Sequence, residues 1–331
     1  MKQRSKFSII VALLAVSISI SASANDILPV KLTSFTSEVK YASKPDYSIS
    51  DEFDSDAKYE QKWKRRILPT KVGKSVDQND PSLVTFESDN DVKYISFKGV
   101  ADDDKGKNIR TSGIISQKTA YGGFYVTRFR ILGLDTEKCK THGTIWHPSI
   151  WCAKWGKDYD TSNFKKNESW LEIDFIEWEG KSWSCDAPAR FLFSNGVMGK
   201  VNDRDKVDFG AIKASVLDEK DNLNRDHTQW TTLGLEYNSK FIKIWEYKDG
   251  KWINISSRTV DFVDENPNRL EDSFRQASLG KSAYKPVIWV LGNVTSPWML
   301  GRLTGDNDAK RPSCEDMSID IDFFRYYPCL D

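Results

Sequence analysis

Residues 170 to 179 read WLEIDFIEWE, and three of the four carboxylates in this stretch, Glu172, Asp174 and Glu177, are spaced closely enough to act together. Residues two apart share one face of a β-strand. Glu172 and Asp174 therefore lie together, and simple alternation sends Glu177 to the opposite side. One extra residue inserted as a β-bulge, at Phe175 or Ile176, shifts the parity and returns Glu177 to the front. Ile173 and one or both of Phe175 and Ile176 then face the core. Three like charges in a row repel each other, which is costly unless the arrangement is used. Crowding also pushes their pKa values apart, so that one carboxylate stays ionised while another keeps a proton near neutrality. Retaining glycoside hydrolysis needs that division, with the two working carboxyl groups about 5–5.5 Å apart. The same residues also suit a solvated acidic edge or a Ca²⁺ site, since hard cations take carboxylate oxygens.

Aromatic side chains are abundant, with 12 Trp and 12 Tyr. Sugar rings stack on flat aromatic faces and are fixed by polar contacts at their edges. Trp151 and Trp298 are the first candidates for such platforms. Trp170 precedes Glu172 by two and shares its parity, and Trp146, Trp178 and Trp183 are weaker candidates. Each of these also reads as an ordinary packing residue, and Trp63, Trp230 and Trp245 read as core. His147 and His227 are candidate sugar contacts or structural histidines. Arg128, Arg130 and Arg302 could hold sulfate esters bidentately, or else are strand surface charges. With only three His and no C-x-x-C or H-E-x-x-H spacing, the sequence speaks against a zinc site as the basis of the chemistry.

These side chains need strands to hold them. VKYISFKGV (92–100), TSGIISQ (111–117), GGFYVTRFRIL (122–132), SKFIKIWEY (239–247) and MSIDIDFFRYY (317–327) are short, β-branched and aromatic. In the last, Ile319, Ile321 and Phe323 alternate with Asp320, Asp322 and Phe324, which predicts a strand with one buried face. KDGK (248–251) is a hairpin turn signal. Only residues 268–280 read as helical, with Leu270, Phe274 and Ala277 on one stripe and Gly280 as a stop. Many short strands and almost no helix predict one all-β domain, a sandwich or barrel.

Lys2, Arg4 and Lys6 precede an apolar run that ends in SASAND, the pattern of a secretory signal peptide cut after Ala24. Residues 25–48 are polar and weakly patterned, an N-terminal extension along the body, and 49–331 form the main domain. No later segment is apolar enough to span a bilayer, so the mature protein is expected to be soluble and secreted or periplasmic. The 48 basic and 48 acidic residues leave a net charge of about −3 once the signal's three basic residues are removed. That balance offers no field for nucleic acid or an anionic membrane. Five cysteines stand at 139, 152, 185, 314 and 329. In an exported chain the local pairs Cys139–Cys152 and Cys314–Cys329 are the simplest disulfide expectation.

The carboxylate stretch EIDFIE (172–177) resembles the bulged E-x-D-x-x-E signature of glycoside hydrolase family 16, and its surroundings agree in order. DEFDSDAKYEQKW (51–63) resembles the family's opening D-E-F…K-W. TSGIISQKTAYGGFYVTRFRI (111–131) is similar to its S-G…Y-G-x-x-E-x-R-x-K strand pair, and HPSIW (147–151) to W-P-A-x-W before the catalytic strand. DHTQWTTLGLEYNSKFIKIWEYKDGK (226–251) and MSIDIDFFRYY (317–327) resemble later strands. The resemblance covers about residues 50 to 328. It implies a β-jelly-roll sandwich of two curved antiparallel sheets, of the concanavalin A-like kind. It implies a retaining mechanism with Glu172 as nucleophile, Glu177 as acid/base and Asp174 assisting the nucleophile. It also implies a polysaccharide substrate, a monomer and no catalytic metal, with a structural Ca²⁺ away from the groove in some relatives. Val126 stands where the family has Glu, and 181–225 matches nothing in the family. The alternative is a carbohydrate-binding jelly roll without turnover, against which the like-charged trio speaks. A polysaccharide lyase would instead want a Tyr/His pair with Arg and Gln neighbours.

Overall fold

A computed structural model describes residues 37–56, 59–66, 76–77, 79–134, 136–154, 171–179, 190–192, 194–195, 197–198, 214–215, 226, 228–238, 241–255, 260–261, 287–303 and 311–330. The expectations for the leader (1–24), Trp170, Trp183, Cys185, His227, the helix over 268–280 and most of 181–225 lie outside the described residues.

The first strands are β1 (Trp63–Arg65), β2 (Val76–Asp77), β3 (Val84–Asp89), β4 (Val92–Val100), β5 (Ile109–Thr111), β6 (Gly113–Ser116) and β7 (Gly123–Leu132). Then come β8 (Trp146–Lys154), β9 (Leu171–Glu179), β10 (Arg190–Leu192), β11 (Ser194–Asn195), β12 (Val197–Met198) and β13 (Ala214–Ser215). The last are β14 (Thr231–Tyr237), β15 (Phe241–Lys248), β16 (Lys251–Asn254), β17 (Val260–Asp261), β18 (Ile288–Thr295) and β19 (Met317–Pro328). Helices are short: α1 (Tyr59–Lys62), α2 (Glu137–His142) and α3 (Pro297–Leu303).

Among the described residues these strands form two main sheets. One runs β1-β6-β18-β8-β9-β10, with β12 also on β9; the other runs β16-β15-β14-β7-β19-β4-β5-β2, with β17 on β15 and β3 on β4. Neighbours are antiparallel except β2 and β5. The result is the expected jelly-roll sandwich. Its core is aromatic where the layers meet. The fully buried Trp289 of β18 has its ring 4.5 Å from Tyr125 of β7 and 4.9 Å from Phe324 of β19. Phe175 of β9 approaches the same ring at 6.3 Å. Side chains of this size each contribute about 1.5–3 kcal/mol through burial, so this cluster ties the site sheet to its partner.

The alternation expected for β19 holds only in its first half. Ile319 and Ile321 are buried in the core, but the register against β7 slips between Ile321 and Phe323. Beyond that bulge Phe324, not Phe323, joins the central core cluster. Phe323 takes the other face, its ring beneath the Arg325 guanidinium at 3.9 Å. That solvent-side face decides between the two readings of Arg128 and Arg130 and corrects the one for Trp230. Arg128 pairs with Asp322 at 3.0 Å, and Arg130 pairs with Asp320 at 2.9 Å and Asp89 at 2.8 Å. Both arginines therefore belong to the sheet without the carboxylate strand and are engaged by acids. Trp230 is not core: it lies against both guanidiniums, at 5.2 and 4.7 Å.

Residues 40–51 run antiparallel to β19. The Ala42 N–H donates to Pro328 O, Asp46 N–H to Tyr326 O and Asp51 N–H to Phe324 O. Asp51 then receives hydrogen bonds from the Phe53 N–H and the Trp63 indole N–H. Burial pushes its carboxyl up, opposed by Lys62, whose ammonium lies 3.7 Å away. The D-E-F…K-W spacing is thus a hydrogen-bonded joint between the chain entry and β1.

Neither local disulfide is present. Twelve residues of β19 stand between Cys314 and Cys329. At about 3.3 Å per residue that separation is roughly 40 Å, whereas a disulfide needs Cα atoms within about 7 Å. Cys139 lies on α2, while Cys152 is far along β8, opposite Trp289, with its side chain buried in the core.

Candidate active site

β8 and β9 pair directly through the carboxylate stretch. Trp151 is opposite Asp174 and Ile150 is opposite Ile176, so Phe175 is an extra residue with no partner on β8. This is a β-bulge, and it resets the parity. Ile173, Phe175, Ile176 and Trp178 are all buried, whereas Asp174 and Glu177 are half-buried on the other face. Three apolar side chains around the bulge explain its placement: with regular pairing, either Ile176 would leave the core or Glu177 would enter it. Glu172 occupies the β9 position opposite Ala153, two residues before Asp174.

Register carries the same face across the sheet. Ser149 is opposite Glu177, Val290 opposite Trp151, and Ile115 opposite Val290. Ile115, Trp151, Ala153 and Val290 form a small apolar cluster of their own, separate from the central core. Gly292 and Gly113 continue the row from Ser149 towards β1. Gly292 has φ 140°, and a Cβ there would stand 2.4 Å from the Gly113 Cα. The sheet therefore comes very close here because both positions lack side chains.

His147 is on this face. Its Nε2 lies 2.9 Å from Glu177 Oε1, and each side chain is 19% exposed. The main-chain N–H of His147 donates to Oδ1 of Asn293, itself fully buried, whose amide nitrogen contacts the Met317 sulfur. Asn293 reads in the sequence as a glycosylation sequon, but its burial reserves it for positioning β8.

Of the proposed platforms, Trp151 lies beside Asp174 and is 8% exposed, with the Arg66 guanidinium 5.4 Å from its ring centroid. Arg66 is also buried and follows β1, where its N–H donates to Gly113 O. It was not legible in advance, because KRR (64–66) reads as surface charge. Trp298 lies on α3, just after β18 ends, and Arg302 is on the same helix. Trp146 is a correction. It is fully buried, and its indole N–H donates to Glu315 O at 2.7 Å. It stands at the wrong parity on β8, one residue from His147, and so faces the core. Trp178 is buried on the core side for the same reason. Among the described residues no group of three or more His, Cys, Asp or Glu is arranged to hold a metal ion.

No family model matches the sequence, and no curated protein matches it either. Solved structures do match. The κ-carrageenase from Pseudoalteromonas carrageenovora, in complex with an oligotetrasaccharide of κ-carrageenan, has a TM-score of 0.55 at 13% identity, over 89% of this chain and 98% of that one. A κ-carrageenase from Zobellia galactanivorans gives 0.53 at 14%, over 88% and 96%. A GH16 protein of the Bacteroides ovatus mixed-linkage glucan PUL, in complex with a G4G4G3G product, gives 0.50 at 13%, over 84% and 99%. The chain therefore has the jelly-roll fold of glycoside hydrolase family 16.

Proposed function

We propose that the protein is an exported, retaining endo-glycosidase that hydrolyses a β-linked polysaccharide, either a β-glucan or a red-algal galactan. The observation that carries this reading is the bulge at Phe175, which brings Glu177 onto the face of Asp174 while the intervening Phe175 and Ile176 are buried. A strand serving only as a solvated edge has no need to interrupt its ladder to expose an acid. The nature of the structural neighbours, κ-carrageenases and a GH16 protein bound to a glucan product, supports the same class of substrate.

In the proposed reaction Glu177 donates its proton to the glycosidic oxygen as the carboxylate of Glu172 attacks the anomeric carbon. The carbon–oxygen bond to the leaving chain breaks, and a glycosyl ester of Glu172 forms. Glu177, now a carboxylate, removes a proton from water, whose oxygen attacks the same carbon and expels Glu172. Two inversions give net retention. Asp174 hydrogen-bonds the nucleophile and tunes it. Trp298 and Trp170 supply stacking surfaces along the bound chain, and Trp151 presents a ring edge to it. The mechanism asks for no metal, and the protein acts as a soluble monomer outside the cytoplasm. Among the described residues no helix is long and apolar enough to cross a membrane.

The test is chemical rescue. Glu172→Gln should abolish hydrolysis of every substrate. Glu177→Gln should spare the first step with an activated aryl glycoside and accumulate the glycosyl-enzyme, which azide then releases. Azide on the Glu172 variant should give a product of inverted configuration instead. Product anomers read by NMR decide the matter: release of the inverted anomer by wild type, or the same azide response in both variants, would overturn the assignment.

A further inference from the structure

We infer that His147 is a positioning residue for the acid/base Glu177 rather than a contact for the sugar. The inference rests on the reading of Glu177 given above. Its physical basis is the 2.9 Å approach of His147 Nε2 to Glu177 Oε1 across the β8–β9 pair. Ser149, not His147, is the Cα partner of Glu177, so the imidazole reaches along the strand from the next position on the same face. That reach depends on a fixed backbone. The His147 N–H is held by the side-chain Oδ1 of the buried Asn293, His147 is opposite Val294, and Pro148 follows with its own φ restrained.

A glutamate's terminal torsion is broad and roughly two-fold, so an unrestrained carboxyl presents either oxygen in many orientations. An imidazole on Oε1 selects one orientation. Proton exchange with the glycosidic oxygen then runs through the second carboxyl oxygen. With Nε2 carrying its hydrogen, the bond also acts differentially. Glu177 starts neutral, becomes anionic as its proton passes to the leaving oxygen, and stays anionic in the glycosyl-enzyme. A hydrogen bond to an ionised acceptor is roughly twice as strong as one to a neutral group. The His147 bond therefore strengthens as the transition state is approached, which is what raises kcat rather than lowering KM. The proton that moves is the one on Glu177; His147 keeps its own throughout.

Two variants separate the possibilities. His147→Phe keeps a ring of similar volume and removes the donor, while His147→Gln restores an N–H at similar reach. Kinetics on the polysaccharide and on aryl β-oligoglycosides of graded leaving-group acidity should show three things. His147→Phe loses about 10–100-fold in kcat where the leaving group needs a proton, with KM close to wild type. The loss shrinks towards unity with a dinitrophenyl leaving group, so the leaving-group dependence steepens. His147→Gln recovers most of the loss. A uniform rise in KM on all substrates with an unchanged leaving-group slope would make His147 a sugar contact and overturn the inference. So would a loss that tracks melting temperature and is not recovered by Gln. The imidazole ¹⁵N spectrum of the wild type gives a readout independent of turnover: an unprotonated Nε2 facing Glu177 overturns the proposal. If wild type hydrolyses no β-glycan, the underlying reading of Glu177 falls, an outcome distinct from normal catalysis that is indifferent to residue 147.

Discussion

Trp151 stands beside Asp174 but is only 8% exposed, because its ring packs on Ile115, Ala153 and Val290 and lies under the Arg66 guanidinium. One side chain thus covers an apolar patch and, in the proposed reading, presents an edge to a bound sugar. Trp151→Ala should weaken binding of long oligosaccharides by at least several-fold, measured by calorimetry, and should also lower the melting temperature. Arg66→Met keeps the side chain's length and removes its charge. It tests the cation–π contact, worth on the order of 0.5–2 kcal/mol, and should reproduce part of the stability loss. Full stability in Arg66→Met would show that the guanidinium contributes nothing to holding the ring. Glu87 offers a pH-dependent case. Its hydrogen bond from Lys98, 2.6 Å away, holds its carboxyl below the usual glutamate range. A carboxyl depressed in the folded state adds stability above its unfolded pKa, and that stability is lost as pH falls through the folded value. Glu87→Gln should therefore lower stability at pH 7 by under about 1 kcal/mol, since the pair is partly exposed. The gap should close on acidification below the ordinary glutamate range, as followed by thermal melts across pH.

Elements decide which of these side chains meet. The Phe175 bulge is the device that puts Glu177 within reach of His147, and its cause is the apolar trio Ile173, Phe175 and Ile176 on the core side. Deleting Phe175 leaves regular alternation, with Glu172, Asp174 and Glu177 still on one face and Ile173 and Ile176 still in the core, but removes a buried ring packed near Trp289. The expected result is a lower denaturation midpoint with residual hydrolysis; a folded deletion variant with no hydrolysis at all would refute the parity argument. β18 beneath the site has its own constraint at Gly292. Alanine there meets both a φ of 140° and a Cβ position 2.4 Å from Gly113 Cα. Gly292→Ala should cost on the order of 1–3 kcal/mol from backbone strain alone, and more once the strands separate, measured as the urea midpoint. The hairpin at 248–251 was readable in advance for the same kind of reason. Asp249 at φ 52° and Gly250 at φ 75° adopt the left-handed pair that a two-residue turn demands.

At the scale of the whole molecule, among the described residues, the two sheets are joined by packed rings. Trp289 meets Tyr125 and Phe324 across the layer boundary and Phe175 within its own sheet. Trp289→Ala should cost about 3–5 kcal/mol, as a cavity opens directly behind the carboxylate strand. Urea unfolding followed by fluorescence and by near-ultraviolet circular dichroism would check it. A loss below about 1 kcal/mol would mean that the layers are held elsewhere.

Local signals in the chain determined the fold class, most strand positions in the ten-stranded sheet and the identity of the carboxylate strand. They did so because alternation, turn residues and like-charge crowding act over a few residues and survive without context. β18 escaped notice because both its faces are largely buried, so it shows no alternation to detect. Trp146, Trp178, Arg128 and Arg130 were candidates on residue type alone, and only pairing to distant strands sorted them into core positions and engaged ion pairs. The bulge was foreseen within two residues, yet its assignment to Phe175 needed the register against Ile150 and Trp151. Contact between His147 and Glu177 lay beyond local reading altogether. It exists because two strands separated by a long connection are hydrogen-bonded side by side, and which face each side chain takes is set by the partner strand rather than by its neighbours in the chain.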